Sequence, residues 1–243
     1  MRPWPSCDER PIFVDEVQNM LTLPPLSARK KERPVDWSSN PHRITDLHAL
    51  EAVYGQPGQA SIVKEVDYIH PHYRAFIEAA PFAVLATAGP GGLDASPRGD
   101  PAGFVVVEDE KTLLLPDRRG NNRVDSLRNI VADPRVALLF MVPGMGETLR
   151  VNGRAAILAD PQLLERFAVD GKAPRSVLAV RVEAAFAQCS RAVIRSRLWK
   201  ADALQDPASL PSLGTVLQAL SRNAIDGAQY DRDLPERLRT TLY

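Results

Sequence analysis

The chain has 243 residues, 30 Lys plus Arg against 30 Asp plus Glu, and 44% apolar residues. That length suits one substantial domain or two small ones, and the even charge gives no overall field to draw the protein to nucleic acid or an anionic membrane, so any basic site has to be local. No apolar run approaches the roughly 20 residues that span a bilayer, MRPWPSCDERPIF at the start lacks a secretory-signal pattern, and Cys7 and Cys189 make neither a disulfide framework nor a metal cluster; a cytoplasmic protein is expected.

Residues 1–42 are dense in Pro and charge, as in LTLPPLSARKKERPVDWSSNP, and have no sustained apolar period. They are expected to form a disordered or extended tail, with a folded domain over 43–243. Leu47, Leu50 and Val53 predict a helix over Ile44–Tyr54 that the Gly and Pro of YGQPGQ end. Ile69–Ala80 reads as a second helix with Pro71 in its first turn, where the missing N–H costs nothing. His70 and His72 beside it suit capping or surface roles better than metal binding, since no HxxxH spacing or cysteine partner accompanies them.

Then come short apolar runs. Phe82–Ala88 and Leu93–Ser96 flank the turn GPGG, and Gly103–Glu108 and Lys111–Leu115 flank an acidic turn at Asp109, so both pairs read as hairpins. Asn121–Ala132 has helical spacing and stops at Asp133–Pro134. Strands over Arg135–Val142, Glu147–Leu158 and Ser176–Ala184 follow, with helices at Pro161–Phe167, Ala187–Trp199 and Leu213–Leu220. Strands in hairpins decorated by short helices predict an antiparallel barrel rather than a doubly wound parallel sheet.

The chemistry concentrates in two turns, Pro97–Gly103 and Asp117–Arg123, which supply guanidinium groups, side-chain amides and free backbone N–H groups at the entry to a helix. Those groups hold a phosphate monoester. The competing reading is a solvated loop whose arginines pair with Asp100 and Asp117, with Asp100 fixing Arg98. No covalent nucleophile or Ser-His-Asp set is apparent.

The strings LATAGPGGLDASPRGDPAGF, LLLPDRRGNNRVDSLRNIVADPRVALLF, GETLRVNGRA and CSRAVIRSRLW resemble the pyridoxamine 5′-phosphate oxidase-like FMN-binding split-barrel superfamily, in particular its branch of uncharacterised flavoproteins with SPRGDPAGF and PDRRGNNR signatures. The resemblance runs from Arg43 to Tyr243. It implies an α+β protein with a six-stranded antiparallel split β-barrel and peripheral helices, a homodimer, and FMN bound between subunits. By similarity Arg98, Asn122 and Arg123 contact the FMN phosphate, Gly99 permits close approach of the cofactor, and the backbone at Leu115 and Pro116 runs along the isoalloxazine edge. Arg195, Ser196 and Trp199 cover the flavin or complete the partner's site. The implied activity is two-electron oxidation or reduction of a small organic substrate. The alternatives are a non-enzymatic flavin sensor, or the same fold holding a deazaflavin or a haem. The tail ASLPSLGTVLQALSRNAIDGAQYDRDLPERLRTTLY does not match the substrate-phosphate residues of the vitamin B6 oxidases, which argues against that substrate.

Overall fold

The computed structural model describes residues 36–243, so most of the expected tail, with Cys7, Trp4 and Phe13, lies outside the described residues. The chain divides into two units, one ending at Lys64 and the other spanning Glu65–Tyr243. In the first, helix α1 (Leu47–Tyr54) starts at Asp46, whose carboxylate accepts from the Ala49 N–H, and stops at Gly55, whose N–H reaches the Glu51 carbonyl at 2.7 Å. Its Leu47, Leu50 and Val53 lie on one face, as their spacing predicts, and are exposed. A short helix, α2 (Gln59–Val63), follows.

The second unit opens with α3 (Pro71–Ala79), for which His70 is the N-cap: its Nδ1 accepts from the His72 N–H at 3.2 Å. Seven strands follow: β1 (Phe82–Gly89), β2 (Gly92–Gly99), β3 (Val106–Asp109), β4 (Thr112–Asp117), β5 (Arg135–Met141), β6 (Thr148–Leu158) and β7 (Ser176–Gln188). They form one antiparallel sheet in the order β2-β1-β5-β6-β7-β4-β3. The seven apolar runs of the sequence therefore each give a strand, and the count of six implied by the family resemblance is corrected to seven. The core face follows the period-2 alternation: Ala83 and Leu85 on β1, Val136, Leu138 and Phe140 on β5, Leu149 and Val151 on β6, and Leu113 and Leu115 on β4 are buried. Each such Leu or Phe contributes about 1.5–3 kcal/mol.

Two differences from expectation have local causes. The strand predicted from Gly103 starts only at Val106, because the chain is still turning at Gly103, where φ is +88°. The helix predicted from Asn121 is α4 (Asp125–Ala132), because Asn122 and Val124 are left-handed, at φ +60° and +52°. The sheet also curls. Arg98 on edge strand β2 pairs with Asp117 at the end of β4, the last strand but one on the opposite side. Among the described residues no ladder joins β2 to β3.

After β6, α5 (Pro161–Glu165) leads to β7. β7 runs on to Gln188, so the helix expected over Ala187–Trp199 shrinks to α6 (Arg191–Ser196). The chain closes with α7 (Leu213–Leu220) and α8 (Gly227–Thr241), the latter masked from sequence reading by an internal Pro235. No helix among the described residues is long and apolar enough to cross a membrane.

Candidate functional site

Strand β2 is unusual in what it turns inward. Asp94, Ser96 and Arg98 alternate as its half-buried positions, and they pair with Thr87, Leu85 and Ala83 of β1, which are buried. An edge strand thus presents three polar side chains on a face that its neighbour makes apolar at Leu85 and Ala83. Burying such groups is unfavourable unless they find partners. The partners come from α4 and from the end of β4: the buried Ser126 hydroxyl donates to Asp94 Oδ2 at 2.6 Å, and Arg98 pairs with Asp117.

Between these elements lies a cavity of about 550 Å3, walled by β2 from Asp94 to Gly99, by Phe104, by the segment 116–127 and by Arg175 and Ser176. That is the size of a pocket for a cofactor or drug-sized ligand. Five arginines face it, Arg98, Arg118, Arg119, Arg123 and Arg175, against three aspartates, Asp94, Asp117 and Asp125. The excess matches the charge of a phosphate monoester, about −1.5 to −2 at neutral pH.

The arginines are not equivalent. The Arg98 side chain is only 16% exposed, and among the described residues its buried Nε has no hydrogen-bond partner, even though the guanidinium pairs with Asp117. An orphaned buried donor of this kind calls for an acceptor that the described residues do not supply. Arg118 is engaged in the fold: its Nε donates to Asp100 Oδ2 at 2.6 Å, an Nη to the Phe167 carbonyl at 2.6 Å, and its guanidinium lies over the Tyr243 ring. Asp100 therefore fixes Arg118 and not Arg98, contrary to the sequence reading. Arg123 is 75% exposed and pairs with Asp125 at 2.7 Å. Arg175, which the sequence reading missed, donates to Asn122 Oδ1 at 3.0 Å.

The loop into α4 is strained. A β-branched residue at positive φ, here Val124, costs about 1–3 kcal/mol and persists where its surroundings impose it, typically at functional sites. Among the described residues no side chain caps α4, and Val124, Asp125, Ser126 and Leu127 all line the cavity. The positive end of a helix whose first turn lacks a capping acceptor is thus turned toward the arginines.

Of the residues expected at the cofactor, Arg98, Gly99, Pro116, Asn122 and Arg123 line the cavity. Leu115 packs into the main core one residue away. Arg195, Ser196 and Trp199 are absent from the lining: the first two are in α6, and Trp199 Nε1 donates to the Met145 carbonyl in the β5–β6 turn at 2.7 Å. Among the described residues no group of three His, Cys, Asp or Glu side chains could hold a metal ion.

The wall behind Arg118 is closed by Tyr243, whose hydroxyl donates to the Asp100 carboxylate at 2.6 Å. That bond, burial and the Asp100 charge hold the phenol above its ordinary value, with the Arg118 charge opposing. A raised phenol stabilises the fold below the unfolded tyrosine value of about 10 and loses that contribution as pH rises through the higher folded value. Tyr243→Phe should therefore remove, from the ultraviolet tyrosinate titration, one phenol that ionises later than a free tyrosine. Loss of an ordinary phenol instead would show that the Asp100 contact does not form.

Residues 69–189 match the family model described as pyridoxamine 5′-phosphate oxidase. Among solved structures the chain is similar to HupZ of Group A Streptococcus, at 19% identity over 50% of this chain and 95% of that one with a TM-score of 0.42. A putative pyridoxamine 5′-phosphate oxidase of Lactobacillus delbrueckii gives 19% identity over 50% and 95%, TM-score 0.40. An FAD-binding protein of Mesorhizobium loti gives 19% over 47% and 90%, TM-score 0.33. No curated protein matches the chain.

Proposed function

We propose, from the match of residues 69–189 to the pyridoxamine 5′-phosphate oxidase family model, that the arginine-lined cavity binds FMN and that the protein is a flavin-dependent oxidoreductase acting on a small organic molecule. The observation that carries this reading is the buried, unpartnered Nε of Arg98 in a cavity with an excess of cations beside an uncapped helix. These residues fit a phosphate monoester. When bound, the flavin supplies two-electron chemistry, for which the protein has to contribute binding and orientation rather than a nucleophile.

Arg98 is the principal phosphate ligand in this reading, with Asn122 and Arg123 completing the set and the α4 amides favouring the anion. Arg175 orients Asn122 through the amide oxygen. Gly99, Leu115 and Pro116 offer backbone to the rest of the cofactor. Arg195, Ser196 and Trp199 serve the partner's flavin in a homodimer of split barrels, which accounts for their absence from this chain's own cavity. We place the protein in the cytoplasm.

The purified protein is expected to show a flavin absorbance spectrum, or to acquire one on addition of FMN, and heat should release a molecule with the mass of FMN. A protein that stays colourless with added FMN overturns the assignment. One that releases FAD instead keeps the flavin and moves the phosphate contacts to a diphosphate.

A further inference from the structure

Beside the larger cavity lies a second hollow of about 220 Å3, and Arg118, Arg119 and Arg175 line both. Its remaining wall is Lys172, Ala173, Pro174 and Tyr243. It exists because of the register: Asp117 faces Ser176 as the terminal pair of β4 and β7, so the segment leaving β4 and the one entering β7 emerge side by side. Just before that point, Val169 and Lys172 exchange backbone hydrogen bonds of 3.1 and 2.9 Å around Asp170 and Gly171, which have φ of +49° and +72°. Two consecutive left-handed residues make a tight hairpin turn, and a glycine second is what such a turn favours. The turn fixes the backbone from which Lys172 extends.

Three of the four cationic side chains in this hollow have no carboxylate side chain beside them. Arg118 is neutralised by Asp100, but Arg175 has only the neutral Asn122 amide, and the side chains of Arg119 and Lys172 have no hydrogen bond or ion pair with any described residue. No side-chain carboxylate is among the lining residues; Asp100 is held by Arg118 and Tyr243, and Asp170 sits on the turn itself. Three free cations gathered around one small concavity repel one another unless an anion sits among them. An FMN phosphate seated at Arg98 can share Arg119 and Arg175, which line both hollows, but not Lys172, which lines only the smaller one.

We propose that this hollow is a separate oxyanion subsite, in which Lys172, Arg119 and Arg175 seat the carboxylate or phosphate group of the substrate. The role as a substrate subsite rests on the flavin reading of the larger cavity; the existence of an anion site does not. Its volume suits a small acid, and the shared arginine wall places that acid's remainder toward the flavin cavity.

The test is calorimetric titration of the intact protein, before and after saturation with FMN, with inorganic phosphate and in a parallel arm with malonate; the tighter of the two identifies the group. Lys172 is exposed and unpaired, so Lys172→Gln should fold as the wild type does. The expected result is one anion per chain in the FMN-saturated protein, weakened about tenfold by Lys172→Gln, the loss of one charge-assisted contact, with FMN retention unchanged. If FMN binds and abolishes anion binding, the two hollows form one flavin site and the subsite is overturned while the flavin reading stands. Lys172-dependent anion binding by a protein that takes up no FMN would keep the anion site and remove the flavin. Anion binding indifferent to Lys172→Gln overturns the subsite.

Discussion

Arg98→Met should weaken FMN binding by about ten- to a hundredfold, because it removes a charge-assisted phosphate contact of about 1.5–3 kcal/mol from a site already shielded from water. The same substitution leaves Asp117, whose side chain is 15% exposed, without its partner, so the fold should lose about 1–3 kcal/mol in urea unfolding as well. The two effects separate with Asp117→Asn. That variant frees Arg98 from its internal competitor, so FMN should bind at least as tightly as in the wild type. Arg98→Met combined with Asp117→Asn recovers part of the stability and none of the affinity. Arg123→Ala should have the smaller effect, because Arg123 is largely exposed and pairs with Asp125. Unchanged FMN affinity in Arg98→Met would remove the phosphate from this cavity.

Gly153→Ala should be the most damaging small substitution in the sheet. Gly153 sits where the β6–β7 register shifts, after Asn152. A Cβ there would overlap the Arg181 carbonyl oxygen and stand 3.0 Å from its carbonyl carbon and 3.4 Å from Val180 Cγ1. The obstacle is mainly backbone of the next strand, which cannot rotate aside as a side-chain end can. The expected loss is about 3 kcal/mol, read as a lower urea midpoint with an unchanged m-value. β6 and β7 join the two halves of the sheet, so the variant should also hold flavin poorly. A midpoint within experimental error of the wild type would mean that the bulge can open without cost.

Much of this was legible beforehand because it depends on short-range rules. All seven predicted strands formed, and except in β2, which turns Asp94, Ser96 and Arg98 inward, alternation over a few residues already determines which face is buried. His70 and Pro71 start α3 for reasons contained in three consecutive residues. What failed was also local in origin: Asn122 and Val124 delay α4 by adopting left-handed geometry, which asparagine tolerates but nothing in the β-branched Val124 announces. The turn at Asp170–Gly171 carries the Asp-Gly pair such turns favour, but the runs flanking it are too short to mark a hairpin.

That a basic, amide-rich turn precedes an amphipathic helix, and which residue types can hold an anion there, is written in consecutive residues. Which arginine does what is not. Arg98 and Arg118 are both arginines beside an aspartate-bearing turn, yet curling of the sheet gives Asp117 to Arg98 and Asp100 to Arg118, and it brings Arg175 and Lys172, more than fifty residues on, to the same wall. The reason is physical. A guanidinium's role depends on which carboxylate lies within hydrogen-bond reach and how much water remains around the pair, and both follow from strand order and register, which link positions far apart in the chain.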